Sequence, residues 1–405
     1  MTGGRRVRLA NTLHSVIDKV YSLANLHRAS RKVCSNKGAP GVDGQTVEQW
    51  RVHEAQHVAQ LRRLLVEDRY QSKPAKRAWI PKQGSDKLRG LGIPTLEDRI
   101  CQQAVCQRVL PAFEKRFFED SYGYRPGRST HQAARRVQEL RREGYHYVVD
   151  LDIQAFFDNV DHEVLMRLVR QVVKDRRVLG LIRGWLKAGV LEEGKIRYQT
   201  SGTPQGGVIS PVLSNVYLTP FDRALKEAGL RHVRYADDVV IFCRSREEAE
   251  SALAVARSAL GRLKLNLSEE KTKVTSFQEG FDFLGFNFKA RYRKVAGKSL
   301  KSFYEKVRAA TRRQQANKPV TEVIAKLNPI VDGWGRYHRD GQNRSLFKRI
   351  DGWVRNRVRA YVRRRWKDRG RWKVFSADEL TSLGLTSLYG LIRAPRQLEL
   401  FGGPP

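Results

Sequence analysis

The segment RHVRYADDVVIFC (Arg231–Cys243) limits the fold of this chain more than any other stretch. Two β-type runs flank Ala236-Asp237-Asp238, so the segment reads as a hairpin whose turn carries adjacent carboxylates. Such aspartates repel each other and serve no packing need. A solvated Asp-Asp turn is the bland alternative; buried at a hairpin tip, the pair demands a cation. Upstream, YHYVVDLDI (Tyr145–Ile153) reads as a strand that presents Asp152 among the apolar Val148, Val149 and Leu151. A strand carboxylate beside a carboxylate-tipped hairpin makes a three-ligand oxygen site for a hard divalent ion. Mg²⁺ suits it, because Mg²⁺ takes a few carboxylates plus substrate phosphates rather than a full protein cage. Two such ions about 4 Å apart serve in-line displacement, activating a 3′-hydroxyl and stabilising a leaving pyrophosphate. Asp150, two residues earlier on the same strand face, is a rival ligand. Asp158 and Asp161 fit a turn and a helix cap.

Charge narrows the partner. Lys and Arg number 77 against 42 Asp and Glu, a net charge of +35. A surplus of that size points to a polyanion, nucleic acid first and an anionic membrane face second. No apolar run approaches the roughly 20 residues of a bilayer span, and the opening MTGGRRVRLANTLHSV lacks a signal-peptide core, so no membrane partner is expected. Cys34, Cys101, Cys106 and Cys243 form no CxxC pair. That excludes a zinc finger and a disulfide framework and suggests a reducing, cytoplasmic setting.

Along the chain, residues 11–35 and 45–70 read as helices around the loop NKGAPGVDG, and residues 75–95 as a basic hairpin. Further helices are expected at 97–110, at 131–143 behind a Ser129 or Thr130 cap, after Asp161, after a Ser210 cap and at 246–264. From about residue 300 the strand signals vanish and the chain is helical and basic.

Tyr235-Ala236-Asp237-Asp238, with DLDIQAFFDNVDH (Asp150–His162) upstream, resembles the palm of reverse transcriptases. The blocks NKGAPGVDG, WIPKQGSDKLRGLGIPTLEDRICQQAV, SYGYRPGRSTHQA, GTPQGGVISPVLSNVYL, LNLSEEKTKV and FDFLGFNF follow in order and narrow the resemblance to group II intron reverse transcriptases, or maturases. It runs from about residue 11 to about residue 370. The resemblance implies an α+β right-hand polymerase with fingers, a palm built on an antiparallel sheet, and an all-helical thumb. It divides the chain into an N-terminal extension (1–70), fingers and palm (71–295), a thumb that also holds intron RNA (296–375) and a short tail (376–405).

The same resemblance assigns roles. Asp152, Asp237 and Asp238 match the catalytic metal-binding triad, for two Mg²⁺ with Mn²⁺ as a substitute. Lys82, Arg89 and Arg99 match cations at the incoming triphosphate, and charge neutralisation there is sound chemistry on its own. Phe157 matches the ring that blocks a ribose 2′-OH, with Phe156 turned to the core; both rings as core is the alternative. Gln205 matches a nucleotide and template contact, Lys271 a lysine near the triphosphate or else a helix-end lysine, and Leu284-Gly285 a primer-grip turn. The implied partners are an RNA template, a DNA or RNA primer, deoxynucleoside triphosphates and a structured intron RNA.

Residues 344–373 hold thirteen Lys or Arg against two Asp. Leu346, Phe347, Ile350, Val354, Val358, Tyr361 and Val362 recur at helical spacing, which leaves Arg355, Arg359 and Arg363 as a stripe suited to RNA phosphates. The short tail after Lys373 and the lack of a Cys/His cluster lead us to expect no DNA-binding or endonuclease domain. Two rivals share most of these features: a relative recruited to phage defence or DNA repair, and an RNA-binding splicing cofactor with a decayed polymerase. The intact triad and Gln205 speak against the second.

Overall fold

The computed structural model describes residues 12–81, 88–198, 201–203, 206–312, 318–366 and 375–393, with the side chains of 363–366 and 393 left aside. Lys82 and Gln205 therefore lie outside the described residues. The chain divides between Thr275 and Ser276 into two compact units.

The first unit opens with α1 (Ile17–Val20) and α2 (Leu23–Ser35), where one helix was expected. The Asp175 carboxylate accepts from the backbone N–H groups of Val16 (2.7 Å) and Ile17 (2.9 Å) and starts α1 there, and the break between the two helices falls at Tyr21-Ser22, where Ser22 turns extended (ψ 136°). Next come α3 (Val47–Val52), which Thr46 and Gln49 open with a capping box, and α4 (Glu54–Val66). The basic hairpin forms as β1 (Ala75–Pro81) and β2 (Leu88–Ile93), antiparallel, with Ile80 opposite Arg89. Then follow α5 (Leu96–Glu114), α6 (Thr130–Arg142), β3 (Tyr147–Asp152), α7 (Phe156–Asn159), α8 (His162–Arg170) and α9 (Arg176–Lys187). Ser129 and Asp161 cap α6 and α8 as expected.

A short hairpin, β4 (Val190–Glu192) and β5 (Lys195–Arg197), extends the finger sheet to the order β2-β1-β4-β5. Helix α10 (Ser210–Glu227) includes Ser210 as its first residue, so Ser210 is no cap; Pro211 sits in the first turn. β6 (Arg231–Tyr235), β7 (Asp238–Cys243), α11 (Arg246–Gly261) and β8 (Lys273–Ser276) complete the unit, and the palm sheet has the order β6-β7-β3-β8.

Strand alternation decides which face does chemistry. Val149, Leu151, Val239, Ile241 and Cys243 belong to the main core, shared with α5, α8, α10 and α11. Asp150, Asp152 and Asp238 therefore stand on the opposite face.

The second unit begins with a three-stranded sheet, β9 (Phe281–Phe283), β10 (Phe286–Lys289) and β11 (Tyr292–Val295), in the order β11-β10-β9. Among the described residues the helices α12 (Gly297–Ala310), α13 (Val320–His338), α14 (Arg344–Trp366), α15 (Ala377–Ser382) and α16 (Leu388–Arg393) follow. Their core takes Phe303, Ile324, Leu327, Phe347, Ile350, Val354 and Val358, so the apolar stripe of α14 is buried as its spacing predicts. Among the described residues no helix is long and apolar enough to cross a membrane.

Candidate active site

The register of the palm sheet brings the three aspartates together. Asp152 ends β3 directly opposite Asp238, the first residue of β7. Asp237 precedes it in the two-residue turn from β6. Loss of hydration pushes the Asp238 carboxyl up to about 7, and repulsion from Asp237, Asp152 and Asp150 adds to the shift. Asp238 also touches solvent. Burial likewise raises Asp237. Lys271 donates from Nζ to Asp152 Oδ2 at 3.1 Å, and the Asp152 backbone N–H donates to Thr272 Oγ1 at 3.3 Å. Lys271 sits in a turn, not at a helix end, and its charge is committed to the triad.

These donors fit a hard cation. All are carboxylate oxygens, and their mutual repulsion is what a divalent ion relieves. Among the described residues no three His, Cys, Asp or Glu side chains are drawn together closely enough to hold a metal ion unaided. One or two carboxylates plus substrate phosphates is the usual demand of Mg²⁺.

A wall forms beside the carboxylates. Arg89 on β2 is exposed, yet its positive field offsets part of the rise at both Asp237 and Asp238. Phe156 is buried (2% exposed) and packs edge-on against Phe157 (5.1 Å) and Tyr217 (6.2 Å). Phe157 is only half-buried, which divides the two rings as the sequence predicts. Two glycine-loop residues, Thr203 and Gly206, touch the Phe157 backbone and the finger strand respectively. Thr203 N–H donates to Phe157 O (2.8 Å), and a Cβ on Gly206 would lie 2.5 Å from Gly92 O in β2. Only glycine lets that backbone come so close. Asp161 caps α8 and pairs with Lys264 at 2.6 Å, away from catalysis.

Arg99 does not join this wall. Arg99 is 8% exposed, and its guanidinium donates to Ala39 O at 2.8 Å and lies against Gly38, so it fastens the NKGAPGVDG loop to α5. Its place on the inner face of α5 explains the departure: a helix phase tells that a side chain is covered, not by what.

In the second unit, Leu284 (φ 50°) and Gly285 (φ 73°) form the β9–β10 turn, and Tyr337 on α13 donates to Leu284 O at 2.8 Å. Arg355 and Arg359 are half-buried on α14. Arg359 already donates to Phe375 O (2.9 Å) and to Asn356 Oδ1 (3.0 Å); the Arg363 side chain lies outside the description. Trp353 packs edge-on against Tyr304 at 4.5 Å, which is packing and not a free stacking platform.

Sequence reading missed Tyr124, a left-handed residue (φ 59°) whose ring lies 6.4 Å from Tyr235 and whose hydroxyl feels Asp237. It also missed the buried ion pair of Arg234 and Asp222 behind the aspartate turn. An arginine in a strand reads as surface, and nothing local names its partner.

Residues 80–288 match the family model "Reverse transcriptase (RNA-dependent DNA polymerase)", and residues 300–377 match "Group II intron, maturase-specific domain". Protein YkfC of Escherichia coli (strain K12) is 36% identical over 301 residues, covering 64% of this chain and 79% of that protein. The group II intron-encoded protein LtrA of Lactococcus lactis subsp. cremoris is 31% identical over 333 residues, covering 65% of this chain and 54% of LtrA. A putative COX1/OXI3 intron 1 protein of Saccharomyces cerevisiae is 22% identical over 80% of this chain and 46% of its own length. The chain thus spans about half the length of LtrA. With a carboxylate-bearing palm sheet followed by the maturase-specific region, it belongs to the group II intron reverse transcriptases, which are RNA-dependent DNA polymerases.

Proposed function

We propose that this chain copies RNA into DNA with two Mg²⁺ held by Asp152, Asp237 and Asp238, and that it binds its intron RNA to assist splicing. The observation that carries the reading is the pairing of Asp152 with Asp238 beside Asp237, in a field strong enough to hold Asp238 near neutrality in its titration. When bound, the metal ions supply Lewis acidity to the primer hydroxyl and the leaving pyrophosphate. The protein does the rest by placement. Arg89, with Lys82, neutralises the triphosphate from the finger hairpin. Phe157 closes the space beneath the sugar C2′. Gln205, within the GTPQGG segment, contacts the incoming nucleotide and the template. Lys271 is placed to exchange Asp152 for a phosphate oxygen. Leu284-Gly285 grips the primer. We take residues 1–70, 71–295, 296–375 and 376–405 as the working division into extension, fingers and palm, thumb and tail.

The carboxylate field makes a test that needs no substrate. An Asp held above its unfolded value near 3.9 favours folding below that pH and loses this contribution as pH rises through about 7. Asp238→Asn is therefore expected to melt at a higher temperature than wild type in metal-free buffer above pH 7. The gap should close near pH 4. Mg²⁺ should raise the melting temperature of the wild type more than that of the variant. Equal, pH-independent melting of both proteins contradicts the assignment.

Replacing Arg355, Arg359 and Arg363 with Gln tests the thumb. One phosphate per arginine would flatten the slope of log affinity against log salt by roughly 0.7–0.9 each. Arg359 is partly committed to Phe375 O, so most of the change, about 1.5 units, is expected from Arg355 and Arg363. An unchanged slope would make the stripe a solvated face.

A further inference from the structure

We propose that Arg234, with Asn215 and Gly123, clamps Ala236 so that Asp237 and Asp238 are held in position before metal or substrate arrives. Arg234 is thus a positioning residue for the polymerase reaction. The proposal rests on reading the two aspartates as metal ligands.

The clamp is built from buried groups. Arg234 is 0% exposed, on the strand that enters the aspartate turn. Its fork meets Asp222 of α10 at 2.7 Å (Nε to Oδ1) and 2.6 Å (Nη2 to Oδ2). Burial alone would raise the Asp222 carboxyl, but the guanidinium, with the buried His232 ring 3.4 Å from Oδ1, outweighs it and holds that carboxyl low. The remaining branch, Nη1, donates to Asn215 Oδ1 at 3.0 Å and to Ala236 O at 2.9 Å. Asn215 then donates from Nδ2 to Gly123 O at 2.8 Å. Gly123 closes the far side: a Cβ there would lie 2.3 Å from Ala236 N. Ala236 is thus gripped by its carbonyl from one side and by backbone contact from the other.

What is gripped is strained. Ala236 has φ 58°, a left-handed conformation that a residue with a Cβ adopts at a cost and keeps only where its surroundings over-determine it. The following residues are the like-charged pair Asp237-Asp238, which would relax apart if the turn were free. A planar guanidinium serves here because it satisfies a bidentate carboxylate and still has a third branch for the turn. Neutralising Asp222 needs only a charge; holding Ala236 needs the fork.

That difference supplies the experiment. Arg234→Lys keeps a cation for Asp222 and loses the branch to Ala236 and Asn215. Asp222→Asn with Arg234→Met removes both charges, a replacement buried pairs often tolerate. For each variant, melting, primer extension across a Mg²⁺ titration, and hydrogen exchange of the metal-free protein are measured. The expected result is a folded protein whose kcat falls by about 10–10²-fold, the scale of a 1 Å misplacement. Half-saturation by Mg²⁺ should move up while the KM for nucleotide changes little. In the metal-free protein the amides of residues 235–239 should exchange faster, while those of Val149 and Ile241 stay protected. Wild-type kcat, Mg²⁺ dependence and exchange in either folded variant overturns the proposal. So does failure of both to fold, which would make the network a general support of the palm. Faster exchange with unchanged kcat overturns the positioning role and leaves the metal-ligand reading standing, since that reading fails only if Asp237→Ala or Asp238→Ala extends primers normally.

Discussion

Asp237→Ala and Asp238→Ala are each expected to lower Mg²⁺-dependent primer extension on an RNA template by about 10³-fold or more, the order lost when one preorganised charge-stabilising group is removed. Binding of the RNA itself should survive, because the substitutions remove negative charge from a chain carrying +35. Asp152→Ala should behave alike, since Asp152 faces Asp238 across the ladder. Asp150→Ala is the informative contrast. It shares the face of Asp152 one pair further from the turn, opposite Val240, and contributes to the field on Asp238 without standing beside it. Its loss should cost far less. Near-normal extension by Asp237→Ala or Asp238→Ala would sink the assignment of the triad.

The second large effect separates two adjacent rings. Phe156→Ala empties a site that is 2% exposed and should destabilise the protein by roughly 3–5 kcal/mol. Phe157→Ala, at a half-buried site by the glycine loop, should fold and instead raise ribonucleotide use relative to deoxynucleotide by about 10–100-fold, the range open to a steric pocket discriminating one hydroxyl. Competition between the two nucleotide types on one template checks this. Sugar choice that shifts with Phe156 and not Phe157 would contradict the placement.

The chemistry of this chain was more legible than its supports. Asp152 and Asp237-Asp238 were readable as neighbours because strand alternation and a tight turn fix where they stand, whereas the division of Phe156 from Phe157 came from the family resemblance. The family resemblance set Arg99 among the triphosphate cations, whereas the fold covers it with the Gly38-Ala39 loop, a contact 60 residues away in sequence that no local pattern names. The strands β4, β5 and β8 hold three or four residues each, too few to set up an alternation. Arg234 stayed hidden for a deeper reason. Its partner Asp222 lies twelve residues away on a helix, and only tertiary packing turns a strand arginine into the back of the aspartate turn. Lys271 was seen as a cation but not as the partner of Asp152, a pairing that spans 119 residues.

The most direct test is primer extension by the purified wild-type chain on a defined RNA template with a DNA primer, deoxynucleoside triphosphates and Mg²⁺, beside Asp238→Ala prepared in the same way. The account predicts full-length complementary DNA from the wild type, abolished by chelation of the metal, and none from the variant at equal RNA occupancy. RNA binding by the wild type with no DNA synthesis under any Mg²⁺ or Mn²⁺ concentration would contradict it and leave the chain an RNA-binding protein on a polymerase frame.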